Sequence, residues 1–157
     1  MISRFSDGER EALVRMNMAW FLRPDWCRRL VRMHGSACAV LGKTAEELAA
    51  SASLPLKSAG KFLADCAAVD VRAELAAAAD CGGRVLLPGE DGFPARLLHV
   101  PDAPFLLYAK GNVDFAGPAV AVVGARSPDA YGRRICAAIT AELAGAGFLI
   151  VSGQVPP

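Results

Sequence analysis

Ala119-Val120-Ala121-Val122-Val123-Gly124-Ala125-Arg126-Ser127-Pro128-Asp129-Ala130-Tyr131-Gly132 is the stretch that decides how this chain is read. A short apolar run ends in Gly124, Arg126 follows almost at once, and a helical pattern opens a few residues later. A strand–glycine–helix unit of this kind gathers free backbone N–H groups at a helix start, where they favour an anion. Gly124 has no Cβ to keep a ligand off the backbone. Arg126 brings a planar guanidinium able to grip a phosphate through two bonds. A second apolar run, Phe148 to Val151, closes on Ser152-Gly153, a small polar turn expected at the same sheet edge. The same letters also suit an ordinary strand, turn and helix in which Arg126 is a surface charge.

Working outward, Ala119 to Val123 is apolar throughout, as strands covered on both faces are. Tyr131 to Ala146 reads as a helix with Ile135, Ile139 and Leu143 on one face, ended by Gly145-Ala146-Gly147. The strand Phe148–Val151 then returns parallel to the first through a right-handed crossover. Ligands of such sheets bind beyond the carboxyl ends of the strands, which is where Gly124, Arg126, Ser152 and Gly153 fall. Arg133 and Arg134 stand in the helix's first turn, where cations oppose the helix dipole. A phosphate nearby gives that placement a purpose; surface arginines without a role are the competing reading. Tyr131 either stacks on a base or closes the helix against the loop as a core residue. Neither GxGxxG nor Gly-Lys-Ser/Thr occurs, so the loop is not a dinucleotide or P-loop fingerprint. His34 and His99 are isolated. No Ser/His/Asp or paired-carboxylate arrangement lies near the strand ends, and no catalytic residue is nominated.

Upstream the period is helical. Ser6-Asp7-Gly8-Glu9 and Thr44-Ala45-Glu46-Glu47 are capping boxes, and Leu13, Val14, Met18 and Phe21 share a face, with Trp20 beside them. Pro24 opens a second helix that Gly35 ends. Short helices are expected at 36–41, from 45 to about 50, at 57–69 with Phe62, Leu63 and Cys66 inward, and at 71–79 behind Asp70. Residues 21–43 carry Arg23, Arg28, Arg29, Arg32 and Lys43 against Asp25, the most basic window of the chain, readable as a solvated helix face or as a nucleic-acid contact. Residues 1–80 are therefore read as a helical domain for packing or partner contact, and 81–157 as the start of an α/β core. Short strands are expected at 84–87 and 105–109, with a short helix at 94–99 between them.

The chain is 54% hydrophobic and carries a net charge of +1, so it wants a packed core and has no global basic field to announce nucleic acid. The five cysteines, at 27, 38, 66, 81 and 136, have no CxxC spacing, which points to buried reduced thiols rather than a metal site. Charged residues break any leader-like run near the N-terminus, and no apolar stretch approaches a membrane span. A cytoplasmic protein without membrane, metal or cofactor is expected.

Val120-Ala121-Val122-Val123-Gly124-Ala125-Arg126, Tyr131-Gly132 and Val151-Ser152-Gly153 together resemble the Rossmann-like core of the DprA/Smf family. So do the segments before them, Gly89-Glu90-Asp91-Gly92-Phe93-Pro94-Ala95-Arg96-Leu97-Leu98 and Pro101-Asp102-Ala103-Pro104-Phe105-Leu106-Leu107-Tyr108-Ala109-Lys110-Gly111. The resemblance runs from about residue 84 to Gly153. It implies an α/β fold: a small N-terminal helical domain, SAM- or helix–hairpin–helix-like, then an incomplete Rossmann-like parallel sheet. The helix–hairpin–helix mode of phosphate binding needs a glycine turn, and Leu22-Arg23-Pro24-Asp25 has none. Position 125 is Ala where the family often has a hydroxyl. After Gly153 the family continues through a glycine-containing stretch to Asp and His, whereas this sequence reads Gln154-Val155-Pro156-Pro157. A C-terminally truncated, impaired core with a bare, aggregation-prone half-sheet is the expectation.

The resemblance implies a protein that binds single-stranded DNA, protects incoming DNA in natural transformation and helps load the RecA recombinase, with no catalysis of its own. Full-length relatives would be homodimers. The DNA- or phosphate-binding residues would be Gly124, Arg126, Arg133, Arg134, Ser152 and Gly153. The alternative is a Rossmann-like hydrolase of nucleoside monophosphates whose catalytic acidic stretch lies downstream. The helical domain and the Phe93-Pro94 and Pro101-Asp102-Ala103-Pro104 segments favour the binding protein.

Overall fold

The computed structural model describes residues 5–19, 24–100, 103–112 and 114–153. Trp20, Phe21, the turn at 22–23, Pro101-Asp102 and Gln154 to Pro157 lie outside them. The chain divides into two compact units, residues 1–112 and 113–157.

The first unit opens with six helices: α1 (Asp7–Met18), α2 (Pro24–His34), α3 (Ala37–Leu41), α4 (Ala45–Ala52), α5 (Leu56–Ala68) and α6 (Val71–Asp80). Local chemistry accounts for most of their starts. Ser6, Ser36, Thr44 and Asp70 each accept a backbone N–H three residues ahead, relieving donors that the first turn leaves unpaired. The Thr44 box is complete, with Glu47 returning to the Thr44 N–H at 2.8 Å. That bond, and then Lys43, holds the Glu47 carboxyl below its ordinary value. The Ser6 box is only half made. Ser6 caps Glu9 N, but the Glu9 carboxylate instead takes the N–H groups of Ala37 and Cys38 at 2.6 and 3.0 Å, tying α1 to the start of α3. Gly35, at φ 87°, ends α2 in the left-handed conformation that glycine adopts at little cost.

Apolar faces of these helices meet around Phe62, Met16, Leu30, Leu48, Val14 and Val40, all fully buried. The core does not stop at residue 80. Strands β1 (Gly83–Leu86) and β2 (Leu107–Lys110) pair antiparallel, Gly83 opposite Lys110 and Leu86 opposite Leu107. Val85, Leu87, Phe105 and Leu106 join the same buried cluster as the helices. The compact unit thus ends near 112, well past the change of sequence period at about 80. Between the strands the expected helix at 94–99 is a single 3-10 turn, Ala95–His99.

The second unit is one βαβ element: β3 (Ala119–Ala121), α7 (Ala130–Gly145) and β4 (Leu149–Val151). β3 and β4 are parallel, in the register Ala119–Leu149, Val120–Ile150, Ala121–Val151. The molecule is therefore α/β with two separate two-stranded sheets, one antiparallel and one parallel. Burial of β3 on both faces is not found. Val120 and Val122 are half-buried, Val123 is 90% exposed, and no described residue of 114–153 is buried. The alternating apolar residues lack a covering layer, so residue type alone overstated their burial. Of the thiols, Cys27 and Cys66 are buried, whereas Cys38 and Cys81 of the first unit and Cys136 of the second are exposed.

Candidate functional site

Parallel pairing sets the site. The Val122 N–H donates to the Val151 carbonyl at 2.8 Å, one step past the ladder, so the chains leaving β3 and β4 start side by side. From β3 runs the loop 122–129, and from β4 the turn Ser152-Gly153. Asp129 closes the loop as the N-cap of α7, its Oδ1 taking the Gly132 N–H at 2.7 Å. Gly132 fits closely there: a Cβ would stand 3.2 Å from that same oxygen, and the Asp129 side chain would have to give by a few tenths of an ångström. Arg133 reaches back from α7 to donate to the Pro128 carbonyl at 2.6 Å, which braces the loop against the helix.

These elements enclose an open groove of about 1180 Å³ within the second unit. Five of the six residues nominated from sequence line it: Gly124, Arg126, Arg133, Ser152 and Gly153. Arg134 does not. It lies over the Tyr131 ring, 5.8 Å from the centroid. Tyr131 itself lines the groove and is 62% exposed, so the core role is not the one it has here. A Cβ at Gly124 or Gly153 would meet nothing within 4 Å. Packing within the protein does not demand glycine at either place, and both leave the backbone open to a ligand.

Sequence reasoning passed over Ser127, Asp129 and Thr140, which also line the groove. The signal for Asp129 was present, since an acid three residues ahead of Gly132 at a helix start is an N-cap pattern. Thr140 bonds back to the Cys136 carbonyl at 2.7 Å and gave no signal of its own. The groove's charged lining is two arginines and one carboxylate, and that carboxylate is engaged as the helix cap. Backbone donors, a guanidinium and a seryl hydroxyl at adjacent strand ends suit an anion better than they suit acid–base chemistry. Among the described residues no helix is long and apolar enough to cross a membrane.

The geometry defines an α/β protein with an anion-suited groove at the carboxyl ends of a parallel strand pair. Residues 84–155 match the family described as DNA recombination-mediator protein A. The DNA processing protein DprA of Bacillus subtilis (strain 168) is 36% identical over 63 residues, 39% of this chain. The match spans only 21% of that relative's length. The family segment begins at 84, inside the first compact unit, so the boundaries of similarity and of compactness fall at different places.

Proposed function

We propose that this chain acts in DNA processing as a binding protein for single-stranded DNA, gripping the phosphate backbone in the groove at Gly124 and Arg126. The observation that carries the reading is the meeting of Gly124, Arg126, Arg133, Ser152 and Gly153 in one open groove, inside the segment that carries the family's sequence. The βαβ element is read as the beginning of a Rossmann-like sheet. Protection of incoming DNA during transformation, loading of the RecA recombinase, homodimer formation and a cytoplasmic location belong to the same proposal, and concern the complete DprA-type protein. We read the groove as a binding site; among the described residues its one lining carboxylate, Asp129, is already the cap of α7.

Arg126→Ala tests the reading. A charge-assisted bond to phosphate contributes about 1.5–3 kcal/mol, so mixed-sequence single-stranded oligonucleotides should bind roughly 10- to 150-fold more weakly. The salt slope should fall by about 0.7, the value for one lost phosphate contact on a single strand. Among the described residues Arg126 and Arg133 alone bring positive charge to the groove lining, so residues 1–157 should bind weakly near 0.15 M salt, and titration at low salt is the place to read the difference. Equal affinity and slope for wild type and variant would remove Arg126 from the site.

A further inference from the structure

Two arginines of the helical layer reach one excursion of chain between β1 and β2. Arg10, in α1, donates through Nη1 to the Val85 carbonyl at 3.1 Å and through Nη2 to Glu90 Oε1. The other Glu90 oxygen takes the Leu87 N–H at 2.9 Å, so one carboxylate ties the turn to itself and to α1. The pair is largely withdrawn from solvent, with side chains 26% and 11% exposed for Arg10 and Glu90. Arg28, in α2, donates to the Ala103 carbonyl at the far end of the excursion. Between these anchors the chain turns through Gly89 and Gly92, at φ 87° and 86°, and tucks in Phe93. It then passes through the 3-10 turn Ala95–His99, where Leu98 is 49% exposed and no described residue from 94 to 100 is buried.

We propose that Arg10 and Arg28 form a two-point latch that docks the strap of residues 87–106 onto the helices. The first part of the family-like segment is then held in place by helices that lie before it in sequence. Apolar burial holds the strap at Leu87, Phe93, Ala103, Phe105 and Leu106, and leaves residues 94–100 without a buried anchor. The ion pair at one end and the carbonyl bond at the other decide whether those ends stay seated. Removing one partner leaves the other partly buried and uncompensated, which is more costly than the pair is stabilising. The latch also explains part of the basic window at 21–43. Arg28 is directed to Ala103, and Arg29 lies over Trp26, 5.4 Å from the ring centroid, which leaves this helix face with structural work to do.

Hydrogen exchange on the full chain, followed by mass spectrometry, tests the latch independently of what the groove binds. Glu90→Gln keeps the shape and an acceptor for Leu87 while removing the charge, and Arg28→Ala removes the other anchor. Each should speed exchange at 87–106 at least tenfold while leaving α4 and α5 (residues 45–68) as in the wild type. Arg10→Ala combined with Glu90→Gln should be no worse than the poorer single variant, because the two act as one contact. Unchanged exchange at 87–106 in both Glu90→Gln and Arg28→Ala overturns the latch. So does an equal rise through 45–68, which would make these residues general supports of the fold rather than fasteners of the strap.

Discussion

Residues 5–112 and 114–153 are built from the same vocabulary of capped helices and short strands, yet every buried side chain among the described residues belongs to the first set. α5 sets Ala59, Phe62 and Cys66 against other helices, each 2% exposed or less. α7 is longer and, unlike α5, has a side-chain cap, yet leaves Ile135 and Ile139 37% and 51% exposed. Local signals therefore suffice to define a helix, while burial depends on what the rest of the chain brings to its face. Most helical stability comes from such packing, since an isolated helix of this length is marginal in water. The first unit should behave as a cooperative core, and the second as an element held by its caps and one strand pair.

Thiol chemistry should separate the core of the first unit from the exposed surface of both units by the widest margin. Burial, followed by the Asp25 carboxylate, pushes the Cys27 thiol up to about 12. Burial, followed by Cys27 and Asp65, does the same for Cys66. A thiol reacts as the thiolate, so near pH 8 a rise from 9.0 to about 12 lowers the reactive fraction roughly a thousandfold, before access is considered. Iodoacetamide at pH 8 should modify Cys38, Cys81 and Cys136 in the native protein, and Cys27 and Cys66 only on unfolding. Raising the pH toward 12 should release the two slow thiols. All five reacting in one phase would show that the core of the first unit gives no more protection than an exposed surface.

A packing pair comes next. Phe62→Ala should destabilise the first unit by about 3–5 kcal/mol, the usual result of emptying a buried aromatic site. Ile139→Ala, at a half-exposed position of α7, should change stability by about 0.5 kcal/mol or less. Urea unfolding, read by circular dichroism and by exchange of peptides from each unit, gives both values. A large effect at Ile139 would mean that α7 is covered by something the exposure of its face does not show.

Where sequence reading succeeded and where it stopped follows from range. Ser6, Thr44, Asp70 and the glycine ending α2 act over a few residues, so their helices were legible almost to the residue. Five of the groove residues were legible because parallel strands bring their carboxyl ends to one place whatever else the fold does. Arg134 stands outside the groove lining because residues 133 and 134 point to different sides of a helix: one meets Pro128, the other the Tyr131 ring. The Glu9 carboxylate, read as half of a local box, turned to partners 28 and 29 residues away. Arg10 and Glu90 are 80 residues apart, and no periodicity links them. The exposure of Val123 and Ile139 was equally hidden, because apolar type says what a residue favours and not what is there to cover it.

The smallest effect makes the sharpest comparison, because the same bond occurs in both units. Asp70 caps α6 through the Ala73 N–H at 3.0 Å, and Asp129 caps α7 through the Gly132 N–H at 2.7 Å. Replacing either by Ala removes one acceptor and should cost about 0.5–2 kcal/mol. The consequences should nevertheless differ. α6 begins with Val71, which is 2% exposed and belongs to the core, so its first turn is pinned from below. Asp70→Ala should then lower the urea midpoint of the first unit while its helix stays formed. α7 has no buried residue, and its first turn is tied to the loop by the cap, by the Arg133 N–H on the Asp129 carbonyl and by the Arg133 side chain on Pro128. Asp129→Ala should therefore fray residues 130–133, free Arg133, and loosen the wall of the groove that holds Arg126. The measurement is amide exchange at Gly132 and Arg133, expected to rise several-fold or more in Asp129→Ala, against little change at Ala73 and Glu74 in Asp70→Ala beyond the shift in global stability. Equal local fraying in the two variants would mean that core contact does not brace a helix start, and the distinction between the units would then rest on burial alone.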